Sequence, residues 1–524
     1  MIERPSEKSH FHVVLLLSLV LVFVIFSDLG TSNAAIRDVS GPDQLKEALR
    51  SAEEGDTILL APGTYGALKL DGISDKQLAF AGKVQITASD KDHPPIFDSI
   101  YLSHAANVEF SNIVILHHWR AEEGIDTPAF LVEESHDIAV IDSKFSGGRA
   151  VNSGPENDGF GIGGGMAFRR CSNISFLHNS ISSFYRGATF GNTAHLTVAD
   201  NELYDLSSDG FDFASVSDAV IARNYMHDFA RAAASTAHPD MIQIWTAGTT
   251  TPTHDVEIAD NFLDQAGGTW TQSIFMGNEL VSEKKAGLEM YYLNIRIEGN
   301  TIRNSHLHGI TIGQSDGVQI LHNTLIQNRP QKICGGIVCV PMINVAKESH
   351  NIFVTQNIVP YLKVLLMGHP SQWIVEQNSS AQRDNPQAPD YVSHVYVNAL
   401  VEGPAGRVDL QLLPESEPMI SGHGAKQSQF NNRPAKKMFF ISSSRQNASG
   451  DTQAFDATNL YGPEGKIDTA DAKVEWDFGD GSKGSGITVD HRFEINGDYD
   501  VKATFTLPGG EKLSANRTIH VGMN

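Results

Sequence analysis

A phrase that opens on asparagine and keeps step with itself limits the folds available to this chain. It reads Asn201-Glu-Leu, Asn224-Tyr-Met, Asn261-Phe-Leu, Asn300-Thr-Ile and Asn323-Thr-Leu, and counted from Asn179 the steps are 22, 23, 37, 39 and 23 residues. Six residues before each asparagine of the phrase stands a polar or small residue (His195, Asp218, Asp255, Asn294, Gly317), followed by an alternating run such as Asp218-Ala-Val-Ile. Further copies begin at Asn107, Asp137, Asn173 and Asn351, with coil ends expected near Asn112, Asp142, Asn179 and Asn357. Strands this short cannot each bury a core, but stacked coils share one. An asparagine at each turn can bond the coils above and below, satisfying polar groups inside the stack. The pattern predicts an all-β protein built on a right-handed parallel β-helix.

The flanks of the repeat carry different signals. Arg4, Lys8 and His12 precede a 14-residue apolar run, 13–26, and then Ser32-Asn33-Ala34-Ala35. That run is short for a membrane span and right for a secretory leader, so 1–35 is expected to be a signal peptide and the mature chain periplasmic or extracellular. No later segment approaches spanning length. Gly41-Pro-Asp-Gln-Leu-Lys-Glu-Ala-Leu-Arg50-Ser-Ala predicts a short helix with Leu45, Ala48, Leu49 and Ala52 on one face, placed to cover the open first coil. Of three cysteines, Cys334 and Cys339 could close one small loop, and Cys171 reads as a buried apolar residue. The stretch 371–390 is polar and proline-containing and reads as a loop excursion. The expected domains are a β-helix over 36–435, a serine-rich linker over 436–450 and a second domain over 451–524.

The capping helix, Gly55-Asp-Thr-Ile-Leu-Leu-Ala-Pro-Gly63-Thr-Tyr and the asparagine-bearing coils together resemble the pectate-lyase-like β-helix superfamily. The opening segment is most similar to its chondroitinase B and alginate lyase group, with mannuronan C5-epimerases as relatives. The resemblance implies action on a polysaccharide, within a superfamily that also holds hydrolases and non-enzymes. In the C-terminal part, Val474-Glu-Trp-Asp-Phe-Gly-Asp-Gly481, His491-Arg-Phe493 and Gly497-Asp-Tyr-Asp-Val501 resemble a PKD domain, an Ig-like β-sandwich with no expected catalytic part. Trp476 and Phe478 alternate into its core, 479–481 makes a turn, and Val501, Ala503 and Phe505 lie on a late strand.

Phasing the coils by their asparagines also aligns the next strand. One outward ladder then reads Thr189, Asp212, Gln243, Phe275, Thr311, and a second, where each strand opens, reads Arg186, Asp209, Asp240, Gln272, His308. A third column holds Phe184, Ser207, His238, Trp270 and His306. Acid, base, amide and aromatic groups therefore gather over five coils, about 20 Å at the usual strand spacing. The two enlarged steps insert 231–238 and 277–285 beside them, and solenoid insertions tend to fall on the functional face.

For a uronate polymer, β-elimination and C5 epimerisation both begin by removing the proton next to the carboxylate, which needs a base and a carboxylate neutraliser. His238 is the expected base, with Asp240 beside it. Arg186 or Arg231 is the neutraliser, Lys284 reaches over the groove, and His308 is the second proton carrier. Asp209, Asp212, Gln243, His306, Trp270 and Lys285 are expected to bind substrate. Asp209, Asp212 and Asp240 could hold calcium if enough oxygens converge. His227 beside Asp228 reads as a structural turn pair. The epimerase Asp-Pro-His-Asp signature is absent, although His238-Pro-Asp240 has related residues in another order, and no motif places a chondroitinase-type Lys and Arg pair. Without an Asn-Thr-Asp pattern, a polygalacturonase-like hydrolase using Asp209, Asp212 and Asp240 ranks second, and a non-catalytic glycan-binding solenoid third. The net charge of −23 argues against nucleic acid and leaves an anionic polysaccharide possible only at a locally basic site. A monomer is expected.

Overall fold

The computed structural model describes residues 34–75, 78–330, 338–406, 408–425, 438–445, 452–462, 465–466 and 472–521. Residues 1–33, most of the expected signal peptide, lie outside them. Among the described residues no helix is long and apolar enough to cross a membrane.

Two continuous parallel sheets of 13 and 20 strands run the length of the coils. They form three faces, because Ile96–Ser103 pairs with both Val114–Leu116 and Pro128–Glu133 and so joins two ladders into the larger sheet. Equivalent positions stack without slippage: Leu196, Ala219, Val256, Ile295, Val318 and Ile352 are successive partners. The inner file of the site-bearing face runs Phe168, Phe190, Phe213, Ile244, Met276, Ile312. Its aromatic half is a ring stack, with Phe168 and Phe190 centroids 5.2 Å apart and Phe190 and Phe213 5.1 Å apart. The helix Pro42–Arg50 buries Leu45, Ala48 and Leu49 against the first strands, as its periodicity predicts.

The asparagine ladder is present as hydrogen bonds. Asn201 Oδ1 accepts from Asn179 N (2.9 Å), while Asn201 Nδ2 donates to Asn224 Oδ1 (2.9 Å) and to Phe176 O (3.0 Å). The same three-way bonding recurs down to Asn378, one coil beyond the expected last copy. At the other end the expectation needs correcting. Ser143, not Asp142, occupies the ladder position, its N–H donating to Asn179 Oδ1 at 3.0 Å. Asn112 and Asp142 stand one place earlier, at φ 53° and 52°, in a column continued by His178, Asp200, Arg223, Asp260 and Gly299. The residues six before each asparagine form a second such column: Asp218, Asp255 and Asn294 have φ 51°, 54° and 51°, and Gly317 has 76°. Left-handed backbone favours Gly, Asn and Asp, which explains why that position is polar or small. Replacing Asn261 with Ala removes acceptor and donors at once, orphaning Asn224 N–H and Ile221 O. A loss of about 2–4 kcal/mol is expected in denaturant unfolding.

After Ser379–Ser380 the chain leaves the coil pattern. Residues 391–412 pack Val392, Val395, Tyr396, Ala399, Ala405 and Leu410 against Phe262, Ile326 and Ile358. They are held by a buried ion pair, Arg303 Nη1 to Asp264 Oδ1 at 2.8 Å, whose partners also bind Gly403 O and Ala405 N. The expected linker also differs. Within 436–450, Met438–Arg445 is a strand paired antiparallel with Thr452–Gly462, because its Met-Phe-Phe-Ile start suits a sheet better than a tether. In the second domain Trp476, Phe478, Val501, Ala503 and Phe505 are buried and Gly479 and Gly481 turn at φ 78° and 92°, as expected. Cys171 is free and buried. Cys339 is disulfide-bonded, and Cys334, its expected partner, lies outside the described residues.

Candidate functional site

The site strands are Arg186–Gly191, Phe211–Ala214, Asp240–Trp245, Gln272–Met276 and His308–Ile312. Their register reproduces the outward ladder: Thr189 pairs with Asp212, Asp212 with Gln243, Gln243 with Phe275, and Phe275 with Thr311. Where the strands open, Asp240 pairs with Gln272, and Asp209 Oδ1 accepts from Asp240 N at 3.1 Å.

Outward direction does not mean exposure here. Asp209, Asp212 and Asp240 have side chains 5%, 0% and 0% exposed, because Arg186 and the 231–238 insertion cover them. Arg186 Nη2 donates to Asp209 Oδ2 (3.0 Å), and its Nε stands 2.5 Å from Asp212 Oδ2 but off the hydrogen-bond line. Both Asp212 oxygens and Asp240 Oδ1 lack a hydrogen-bond partner. Burial, reinforced by Asp209, therefore pushes Asp212 well above the usual carboxylate range against the pull of Arg186. Burial likewise raises Asp240 to about 7, opposed by His238. Burial disfavours the charged Arg186, but Asp212 and Asp209 outweigh it and raise its pKa.

His238 is the outer member of the group, 67% exposed, with Nδ1 3.4 Å from Asp240 Oδ2. Gln243 Nε2 donates to the same oxygen at 2.9 Å. The bond to Asp240 raises His238 to about 8 despite partial burial. One strand further on, Trp270 stacks on His306 (4.8 Å, 9°) and carries Arg231 over its ring at 4.6 Å. Arg231 Nη1 donates to Ser235 O, which bends the insertion back onto the coil. Burial, with His308 and Arg231 adding to it, lowers His306 to about 4, and burial lowers His308. His308 Nδ1 is bonded to Thr311 Oγ1 at 2.8 Å.

The structure thus brings Arg186, Asp209, Asp212, His238, Asp240 and Gln243 into one group, with Arg231, Trp270, His306 and His308 beside it. It does not bring in the lysines. Lys285 pairs with Glu283 at 2.6 Å, and the loop bearing Lys284 and Lys285 follows the far end of Gln272–Met276, whereas Asp240 and Gln272 open their strands. Phe184 and Ser207 of the third column are buried, Ser207 donating to Gly161 O. His227 is the structural pair expected, bonded to Asp228 at 2.8 Å and stacked on Tyr225. As for calcium, the space among the carboxylates holds the Arg186 guanidinium, and among the described residues no group of three or more His, Cys, Asp or Glu is spaced to hold a metal ion.

One participant lay outside the phase. The irregular 117–127 loop carries Asp126, whose Oδ2 is 3.3 Å from Arg186 Nη1. It also carries Trp119, beside Gly163. Its signal is the run His117-His-Trp-Arg120, aromatic and basic but not periodic.

Two family models match the chain, the right-handed β-helix region over 98–239 and the PKD domain over 434–521. The chain carries a right-handed β-helix and a PKD domain. No curated protein matches it in sequence. Solved structures similar to it include the Dettilon tailspike protein, at 12% identity, 91% of this chain, 87% of that chain and a TM-score of 0.39. They also include the PL6 family alginate lyase AlyGC, at 13% identity, 76% and 59% coverage and a TM-score of 0.29. A third is the family 28 exopolygalacturonase of Yersinia enterocolitica, at 9% identity, 68% and 79% coverage and a TM-score of 0.29. The β-helix of this chain spans the site described above, and the PKD domain lies after it in sequence.

Proposed function

We propose that the protein is an exported lyase acting on a uronate-bearing polysaccharide laid across the strands from 186 to 312, with His238 moving the proton. The observation that supports this reading is accessibility. In the central group His238 is 67% exposed, while the three aspartate side chains are 5% exposed or less. A group must reach the proton it transfers.

Asp240 holds Nδ1 of His238, which leaves Nε2 to take the proton from the carbon next to the sugar carboxylate. The C–H electron pair moves into that carboxylate and then forms a C=C bond as the C–O bond to the neighbouring sugar breaks. The departing oxygen takes the proton back from the imidazolium. Arg186 offers Nη1 to the substrate carboxylate, and Asp240 acts as a positioning residue that raises the imidazole's basicity. Epimerisation would need a second proton carrier on the opposite face of the sugar. His308 stands two strands from Asp240, about 10 Å, too far to serve the same carbon.

A hydrolase is the second reading, favoured by burial, which raises Asp212 and lifts Asp240 to about 7, so that Asp240 keeps a carboxyl proton available near neutrality. Incubating the protein with a panel of uronans and neutral glycans, with and without calcium, separates the readings. The expected product is an unsaturated sugar end that absorbs in the ultraviolet. New reducing ends without unsaturation mean hydrolysis, and solvent deuterium at C5 without cleavage means epimerisation. Binding with no product from any glycan would leave the catalytic reading without support.

A further inference from the structure

The Arg186 guanidinium has two different sides. Its Nε and Nη2 face inward to Asp209 and Asp212, whose side chains are 5% and 0% exposed. Its Nη1 has a different partner, Asp126, 54% exposed, at a loose 3.3 Å. The two sides are held by different kinds of element. Asp209 and Asp212 flank the opening of a strand locked into the coil stack. Asp126 belongs to the 117–127 loop, which is fixed to the coil by backbone bonds on either side of that residue, Gly163 N to Ile125 O (2.9 Å) and Gly164 N to Thr127 O (2.8 Å). The loop therefore stays put while the Asp126 side chain is free to turn outward. Trp119 of the same loop lies against Gly163, whose carbonyl accepts from the N–H groups of Tyr185 and Arg186, so the loop is anchored beside the residue that carries the guanidinium.

We propose that Asp126 is a displaceable stopper on Arg186, and that a sugar carboxylate of the substrate takes its place on Nη1. This rests on the lyase reading for its substrate class but not on catalysis itself. An exposed ion pair contributes about 0–1 kcal/mol, so the cost of parting Asp126 from Arg186 is small. A planar carboxylate from the ligand restores the same charge-assisted bond. A neutral sugar offers no equivalent replacement. The exchange thus selects acidic sugars on a face that otherwise carries several carboxylates, and Asp126 keeps Nη1 paired until such a sugar arrives.

Binding of a galacturonate trimer and a mannuronate trimer is measured by calorimetry for the wild type, Asp126→Asn and Asp92→Asn. Asp92 is an exposed acid on another loop and controls for net charge. With its stopper removed, Asp126→Asn is expected to bind at least one trimer about two- to fivefold more tightly at low salt, with the gain shrinking as salt screens it. Asp92→Asn and a neutral maltotriose should show no such gain. Equal or weaker uronate binding by Asp126→Asn, a matching gain in Asp92→Asn, or no binding of either trimer by any form overturns the proposal. Tighter binding without turnover keeps it and removes the lyase reading, whereas turnover with unchanged Asp126→Asn binding does the reverse.

Discussion

Replacing His238 with alanine is expected to lower turnover by about 10²- to 10⁴-fold, the usual contribution of a positioned proton-transfer group. The fold should remain, because His238 is exposed and the strand it precedes is held by its neighbours. The pH dependence discriminates more sharply. A base works deprotonated, so with His238 raised to about 8 the rate should climb as pH rises through about 8. In Asp240→Asn the carboxylate charge that raises the imidazole is gone and only a weaker neutral acceptor remains, so the climbing limb should move to lower pH, with a smaller maximum because the ring is less well oriented. If His238 instead served as the acid of a hydrolase, activity would fall through the same pH. A limb that descends near 8, or that stays in place in Asp240→Asn, contradicts the role given to the pair.

The other large effect concerns the anchor of the 391–412 excursion. Arg303 and Asp264 are 1% and 0% exposed, and together they tie the coil to this segment through Val401 O, Gly403 O and Ala405 N. Arg303→Leu leaves the Asp264 carboxylate buried without its cation and strips the donors from Val401 O and Gly403 O. Loss of one partner of a buried pair costs about 3–5 kcal/mol, so a marked fall in the urea midpoint is expected. Hydrogen exchange should locate the opening in 391–412 first. Replacing both residues with leucine should recover part of the loss, since the uncompensated charge is then removed as well. A single variant within about 1 kcal/mol of the wild type would show that apolar packing alone holds the excursion.

The coil register was legible in the sequence because an amide ladder and a two-residue side-chain period leave little freedom: once Asn201 and Asn224 are phased, Thr189 must stack on Asp212. The polar residues six places ahead were visible as a pattern, and left-handed backbone supplies their reason. Burial at the site was not legible. Asp212 points outward, and whether water reaches it depends on where the long Arg186 side chain lies, which no periodicity encodes. Asp126 and Trp119 were missed because their loop has no repeat to phase it. The strand Met438–Arg445 was hidden by its serines, which suit a linker and an exposed strand alike.

The alternation of fixed ladder and variable loop has a consequence for how such a chain can change length. One residue gained within Asp240–Trp245 would turn every side chain on that rung to the opposite face and break the amide file beside it. The same residue gained within 231–238 would alter only what overhangs the groove. Length variation is thus channelled into the turns, and a rigid, evenly spaced floor can carry many different rims.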